Sequence, residues 1–90
     1  MNKTQRLYQA ATRSPNSLSY RDLCKLAEDV GFKFRGHSGS HKIYKHPTLG
    51  SMMNFQPDKR DKKKAKEYQV NQLLNFINQH NLIPGEGEIN

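Results

Sequence analysis

Cysteine is nearly absent from this chain of 90 residues: Cys24 stands alone, so neither an internal disulfide nor a cysteine-based zinc cage can form. Tryptophan is missing, and Leu, Ile, Val and Phe together supply 18 of the 90 residues, close to the composition at which chains stop folding. The expected core is therefore thin. No run of apolar residues is longer than two, which leaves no membrane span and no secretory hydrophobic region and makes a soluble, cytoplasmic protein the expectation. Acids are scarce as well, with 8 Asp and Glu against 15 Lys and Arg, a net charge of +7. Such an excess selects polyanions as partners, and nucleic acid is the commonest of these. A second globular domain does not fit the length.

What is present is a pattern that changes its hydrophobic period. Leu7, Ala10 and Ala11 form a weak helical stripe that Ser14-Pro15 stops, predicting a short helix in an N-terminal extension, residues 1–16. Ser19 followed three residues later by Asp22 resembles a capping box, and Leu23, Leu26, Ala27 and Val30 repeat behind it at helical spacing. Gly31 suits the left-handed end of that helix, with Phe32 folding back on its last turn. The period then drops to two. Phe32 and Phe34 alternate with Lys33 and Arg35 in a strand ending at Gly36, a small loop runs from Gly36 to Ser40, and His41 to His46 is β-prone. Beyond the turn marked by Pro47 and Gly50, Ser51 to Gln56 read as a third strand with Met53 and Phe55 on one face. Val70, Leu73, Leu74 and Ile77 restore the helical stripe, whereas residues 81–90 have little to bury and read as a flexible tail. The resulting expectation for residues 17–80 is an α+β fold, a three-stranded antiparallel sheet with two helices on one face and the other face open to a large flat partner.

Two groups of residues carry chemistry. Between Lys59 and Lys66 lie six cations, Lys59, Arg60, Lys62, Lys63, Lys64 and Lys66, against one carboxylate, Asp61. Charge runs in general are solvated loops. A helix beginning near Lys63, however, would hold several cations in its first turn, where the dipole disfavours each by about 0.3–1 kcal/mol, and a docked phosphate would relieve them. The second group is His37, His41 and His46. As a metal site it lacks a nearby acid, and positions 41 and 46 fall on opposite faces of a strand, so no metal or cofactor is expected. His37 and His80 read as surface histidines, and His46-Pro47 as part of a turn.

His41 differs, because it stands where the loop Gly36-His37-Ser38-Gly39-Ser40 meets a strand, a place where backbone N–H groups and a titratable ring converge on one approaching phosphate. RNA brings its own nucleophile, the 2′-hydroxyl, so its cleavage needs a base, an acid for the leaving oxygen and cations for the developing charge. Histidine, which titrates near neutral pH, suits proton transfer in both directions. The strand parity leaves two cases open. If Ile43 is the core residue, His41 leans towards the helices as well; if Tyr44 is, His41 faces solvent. Ser38 and Ser40 lack an orienting carboxylate for a triad, the glycine loop lacks a P-loop ending, and Cys24 sits on a helical stripe as a small packed thiol. Tyr44, Tyr68 and Phe55 are candidates for stacking on bases, with the core as the default for Phe55.

Gly39-Ser40-His41-Lys42-Ile43-Tyr44-Lys45-His46-Pro47 resembles the strand signature of HicA-type toxins, and Lys64-Ala65-Lys66-Glu67-Tyr68-Gln69-Val70 with Gln72-Leu73-Leu74 is similar to the last helix of one HicA branch. The resemblance covers about residues 17–80. It implies a small endoribonuclease with a fold like a double-stranded RNA-binding domain, cutting mRNA without metal or ribosome and held inactive by a HicB-type antitoxin. The family's catalytic histidine falls on His41 and its glycine turn on Gly39. Many members have a second histidine where this chain has Lys42, and the branch usually has proline where this one has Glu67. On this reading His41 is the catalytic residue, Gly39, Ser40, Lys42 and Lys45 approach the phosphate, and Lys62, Lys63, Lys64 and Lys66 hold the RNA backbone. The rival is a non-catalytic RNA-binding module with the same fold.

Overall fold

A computed structural model describes residues 2–83. Helix α1 spans Lys3–Arg13 and a single 3-10 turn Pro15–Ser17; helix α2 spans Tyr20–Asp29, strands β1, β2 and β3 span Lys33–Ser38, His41–Lys45 and Met52–Phe55, and helix α3 spans Glu67–His80. The strands form one antiparallel sheet in the order β1-β2-β3, giving the α+β architecture that the sequence pattern implies.

The local signals explain most of these elements. Asn2 and Gln5 cap α1 reciprocally, Asn2 Oδ1 accepting from Gln5 N at 2.8 Å and Gln5 Oε1 from Asn2 N at 3.1 Å, and the helix stops at Ser14 before Pro15. At the start of α2, Ser19 Oγ accepts from the Asp22 N–H at 3.0 Å, which satisfies one of the orphan donors of a helix N-terminus. Its C-terminus ends in a Schellman arrangement: Phe32 N donates to Ala27 O, Gly31 adopts φ +112, and the Phe32 side chain is buried.

The core lies between the sheet and helices α2 and α3. Leu23, Leu26 and Ala27 from α2, Val70, Leu73 and Ile77 from α3, and Tyr44, Met53 and Phe55 from the sheet are all buried. Helix α1 lies against both other helices: Ala11 is fully buried, Thr4 Oγ1 donates to Asp29 Oδ2 at 3.1 Å, and the Tyr8 hydroxyl donates to Asn78 Oδ1. Ile83 is also buried and Leu82 packs against the core, so the packed body runs past residue 80. The rest of the expected tail, residues 84–90, lies outside the described residues.

Two elements depart from the expectation. Strand β1 runs on to Ser38 instead of ending at Gly36, because the register shifts between Phe34 and Gly36; the extra residue, Arg35, makes a bulge that absorbs the glycine within the strand. Helix α3 begins at Glu67, with Lys66 as its N-cap, and not near Lys63. Residues 63–65 instead pair as extended chain: Tyr20 N donates to Lys63 O and Ala65 N to Leu18 O, with bridges between Ser19 and Lys64 and between Pro57 and Ala65. Glu67 thus occupies the first helical position, where proline is also favoured.

Candidate functional site

The site is built on the β1-β2 hairpin. Ser38 is paired with His41, so the connecting loop is only Gly39-Ser40. Gly39 has φ +63, as the first loop position of a type II′ turn demands. No atom lies within 4 Å of where its Cβ would stand, so the glycine is required by backbone conformation and not by space. Tyr44 is the core residue of β2, 2 % exposed, with its hydroxyl donating to Glu28 Oε2 at 3.3 Å. Side chains alternate along a strand, so His41, Ile43 and Lys45 share the opposite face, the one no helix covers.

On that open face the His41 ring is held from β3. Its Nδ1 lies 2.9 Å from Asn54 Oδ1; an amide oxygen only accepts, so the contact is a hydrogen bond when Nδ1 carries the proton, the tautomer in which the neutral ring has its lone pair on Nε2. Nε2 bonds to no described residue. One register step beyond the Lys42–Phe55 pair, the Gln56 side chain reaches back to the hairpin, Nε2 donating to Ser40 Oγ at 3.4 Å. Gly39, Ser40, His41, Asn54 and Gln56 therefore cluster at one end of the sheet.

The other histidines separate. His37 pairs with Lys42 on the helix-side face, at the sheet's edge, its ring edge-on to Phe34 at 5.2 Å. His46 is buried and structural: Nε2 donates to Val30 O at 3.0 Å and Nδ1 accepts from Leu49 N at 3.2 Å, pinning the β2-β3 turn to the end of α2. His80 stacks on Phe76 at 4.5 Å.

The lysines divide too. Lys42 leaves the sheet on the face opposite His41, with Nζ 5.5 Å above the Tyr20 ring. Strand parity therefore parts Lys42 from His41 and leaves Lys45 on the His41 side. Lys45 shares the His41 face but stands four residues along, about 13 Å away. It is paired directly with Lys33, a cross-strand like-charge pair that disfavours the fold unless an anion lies over it. Lys33 gave no sign of this in the sequence, because the pairing depends on a register that the bulge sets.

The chain leaves β3 beside His41 and enters the basic loop directly. Asp58 Oδ1 accepts from Arg60 N at 2.8 Å and Asp61 N at 3.3 Å, and these two N–H groups hold its carboxyl below the usual carboxylate range. Lys64 N donates to Asp61 O and Asp58 N to Lys64 O, so the backbone is fixed while the Lys62, Lys63 and Lys64 side chains are exposed. Among the described residues the one ion pair is Lys25–Asp29 on α2, so none of the loop's cations is held in an ion pair. All but Lys66, the N-cap, precede α3 by more than a residue, so repulsion from its dipole is not what makes Lys62, Lys63 and Lys64 available.

A cleft of about 830 Å³ opens on the helix side, walled by Arg6 of α1, Arg21 of α2 and Lys42 and Tyr44 of β2, among others; His41 is not part of it. Cys24 lies at its base. Burial pushes the Cys24 thiol up, outweighing the nearby Tyr44 hydroxyl and the charge of Lys42 that pull it down, and burial likewise pushes Tyr20 up to about 12. A thiol held in its protonated form is a poor nucleophile. Cys24 is therefore expected to react with a thiol-selective alkylating reagent at pH 7 at least tenfold more slowly in the folded protein than in urea, and equal rates would contradict the packing described.

Against known proteins, residues 20–81 match the family described as HicA toxin of bacterial toxin-antitoxin. The chain belongs to that family. The HicA match begins at the first residue of α2 and ends just after α3, so it takes in the hairpin, Asn54 and the basic loop and leaves α1 outside. Membership makes the chain the toxin of a toxin–antitoxin pair, in a family whose members are generally ribonucleases, with RNA as the class of target and an antitoxin as the class of partner. No curated protein and no solved structure matches the chain. No helix among the described residues is long and apolar enough to cross a membrane.

Proposed function

We propose that this HicA toxin is a metal-independent endoribonuclease that cuts mRNA and so halts translation and growth, with His41 as its proton-transfer residue and a HicB-type antitoxin as its inhibitor. The observation that carries the reading is the His41 ring on the uncovered sheet face, beside a tight glycine turn, with Nε2 unengaged and Nδ1 occupied. In the reaction, Nε2 takes the proton of the ribose 2′-hydroxyl as its oxygen attacks the adjacent phosphorus. The P–O5′ bond breaks, the 5′-oxygen takes the proton now held at Nε2, and the products are a 2′,3′-cyclic phosphate and a 5′-hydroxyl, with the ring returned to its starting form. The nucleophile comes from the substrate, so one histidine and nearby donors suffice.

The remaining site residues follow the path of the strand. The backbone of Gly39 and Ser40 approaches the scissile phosphate; Lys45, with Lys33 opposite it, takes a neighbouring phosphate on the open face. Lys62, Lys63, Lys64 and Lys66 hold the backbone beyond the other end of the site. Lys42, above Tyr20, adds positive potential from the far side of the sheet and does not touch the reacting phosphate. These contacts position RNA and carry no base specificity.

The test is incubation of end-labelled mRNA with the purified protein in excess chelator. Cleavage is expected, with affinity falling steeply as salt rises. Retarded but intact RNA on a gel would show a binding module instead.

A further inference from the structure

We infer that Asn54 is the positioning residue for His41, fixing the ring as the Nδ1–H tautomer so that Nε2 is the atom able to take a proton; this rests on the reading of His41 given above. Three observations converge. The first is geometric. Ile43 and Asn54 are paired across β2 and β3, which makes His41 and Asn54 diagonal neighbours on one face, a separation that medium-length side chains can bridge. They do so at 2.9 Å, amide oxygen to Nδ1.

The second is chemical. In water the neutral histidine side chain favours the other tautomer, with the proton on Nε2, and in that form the outward-facing nitrogen cannot act as a base. Which ring nitrogen is protonated is set by the hydrogen bond that the other one makes. The same chain shows the converse at His46, where a backbone N–H donates to Nδ1 and the proton sits on Nε2. Two histidines five residues apart are thus held in opposite tautomers by different partners, one for packing and one facing solvent.

The third concerns what the fold gains. Asn54 is an exposed residue in a short strand between the buried Met53 and Phe55, and asparagine is depleted in strands. Among the described residues its side chain bonds to His41 alone, so folding alone would favour a β-branched residue there. An amide also suits this face better than a carboxylate would: it accepts from Nδ1–H before and after the ring is protonated, without adding a negative charge where a phosphate must come.

Two variants test this, Asn54→Leu, similar in size without an acceptor, and Asn54→Asp, which keeps the acceptor and adds a charge. Long-range proton–nitrogen NMR of the RNA-free protein reads the His41 tautomer directly, and steady-state cleavage in chelator reads kcat and KM. The wild type is expected to show Nδ1–H. The Leu variant is expected to show mainly Nε2–H, with kcat down about 10- to 100-fold and KM little changed. The Asp variant is expected to keep the tautomer and kcat while KM rises. A Leu variant that retains Nδ1–H, or that cuts within twofold of wild type, overturns the inference. If the tautomer switches as described but the wild type cuts no RNA, the positioning by Asn54 stands and the ribonuclease reading of His41 falls.

Discussion

Replacing His41 with alanine is expected to lower the rate of RNA cleavage by about 10²–10⁴-fold, the range that a positioned general acid–base group supplies. The fold should tolerate the change. The ring is partly exposed on the open face and, among the described residues, bonds only to the exposed Asn54, so the loss of stability belongs with surface substitutions, within about 0.5 kcal/mol. RNA affinity is expected to stay near that of the wild type, because the Lys33–Lys45 pair and the basic loop are untouched. Cleavage and binding are thereby separated in one variant. A folded His41→Ala protein that cuts as fast as the wild type would remove His41 from the mechanism.

The second large effect lies at Gly31, and it concerns stability. Gly31 sits at φ +112, a conformation L side chains rarely adopt, and a Cβ there would stand 2.6 Å from His46 Nε2. Gly31→Ala therefore strains the backbone, by about 1–3 kcal/mol. It also pushes the imidazole off Val30 O, leaving buried polar groups unpaired at about 1–3 kcal/mol. A total near 3 kcal/mol is a large share of the roughly 5–15 kcal/mol available to a small domain, and thermal or urea unfolding would register it as a midpoint drop of about 10–20 °C. The double variant with His46→Ala separates the two causes: removing the ring relieves the clash but not the strain, so the pair is expected to be non-additive. A loss below about 1 kcal/mol in Gly31→Ala would contradict the close approach described.

Much of the fold was legible because the relevant signals are local. Ser19 at the start of α2, Gly31 and Phe32 at its end, and the Met53/Phe55 alternation each act within a few residues; the structure realises them, with Ser19 capping Asp22 N but without the reciprocal bond of a full capping box. The two departures have a common origin in pairing that local pattern does not contain. Glycine marks turns, and Gly36 was read as one; only the partner strand shows that it is absorbed in a bulge. The lysine run has good helix formers, but its backbone is drawn into bridges with Leu18–Tyr20 and Pro57, segments distant in sequence. The face on which Lys42 lies was hidden for a similar reason. Its neighbours in sequence gave no parity, since Ile43 and Tyr44 are both plausible core residues; Tyr44 occupies the core because Glu28 satisfies its hydroxyl there. Asn54 left no trace in the sequence, as its partner lies thirteen residues away on another strand.

The most direct measurement uses an RNA oligonucleotide with a single cleavage site, compared with the same oligonucleotide carrying one 2′-deoxyribose on the 5′ side of that site. With the wild-type protein in chelator, the all-ribose strand is expected to be cut to a 2′,3′-cyclic phosphate and a 5′-hydroxyl, while the deoxy strand is bound equally well and left intact at that position. Cleavage of the deoxy strand there, or products ending in a 3′-hydroxyl and a 5′-phosphate, would show that water and not the ribose is the nucleophile and would contradict the account.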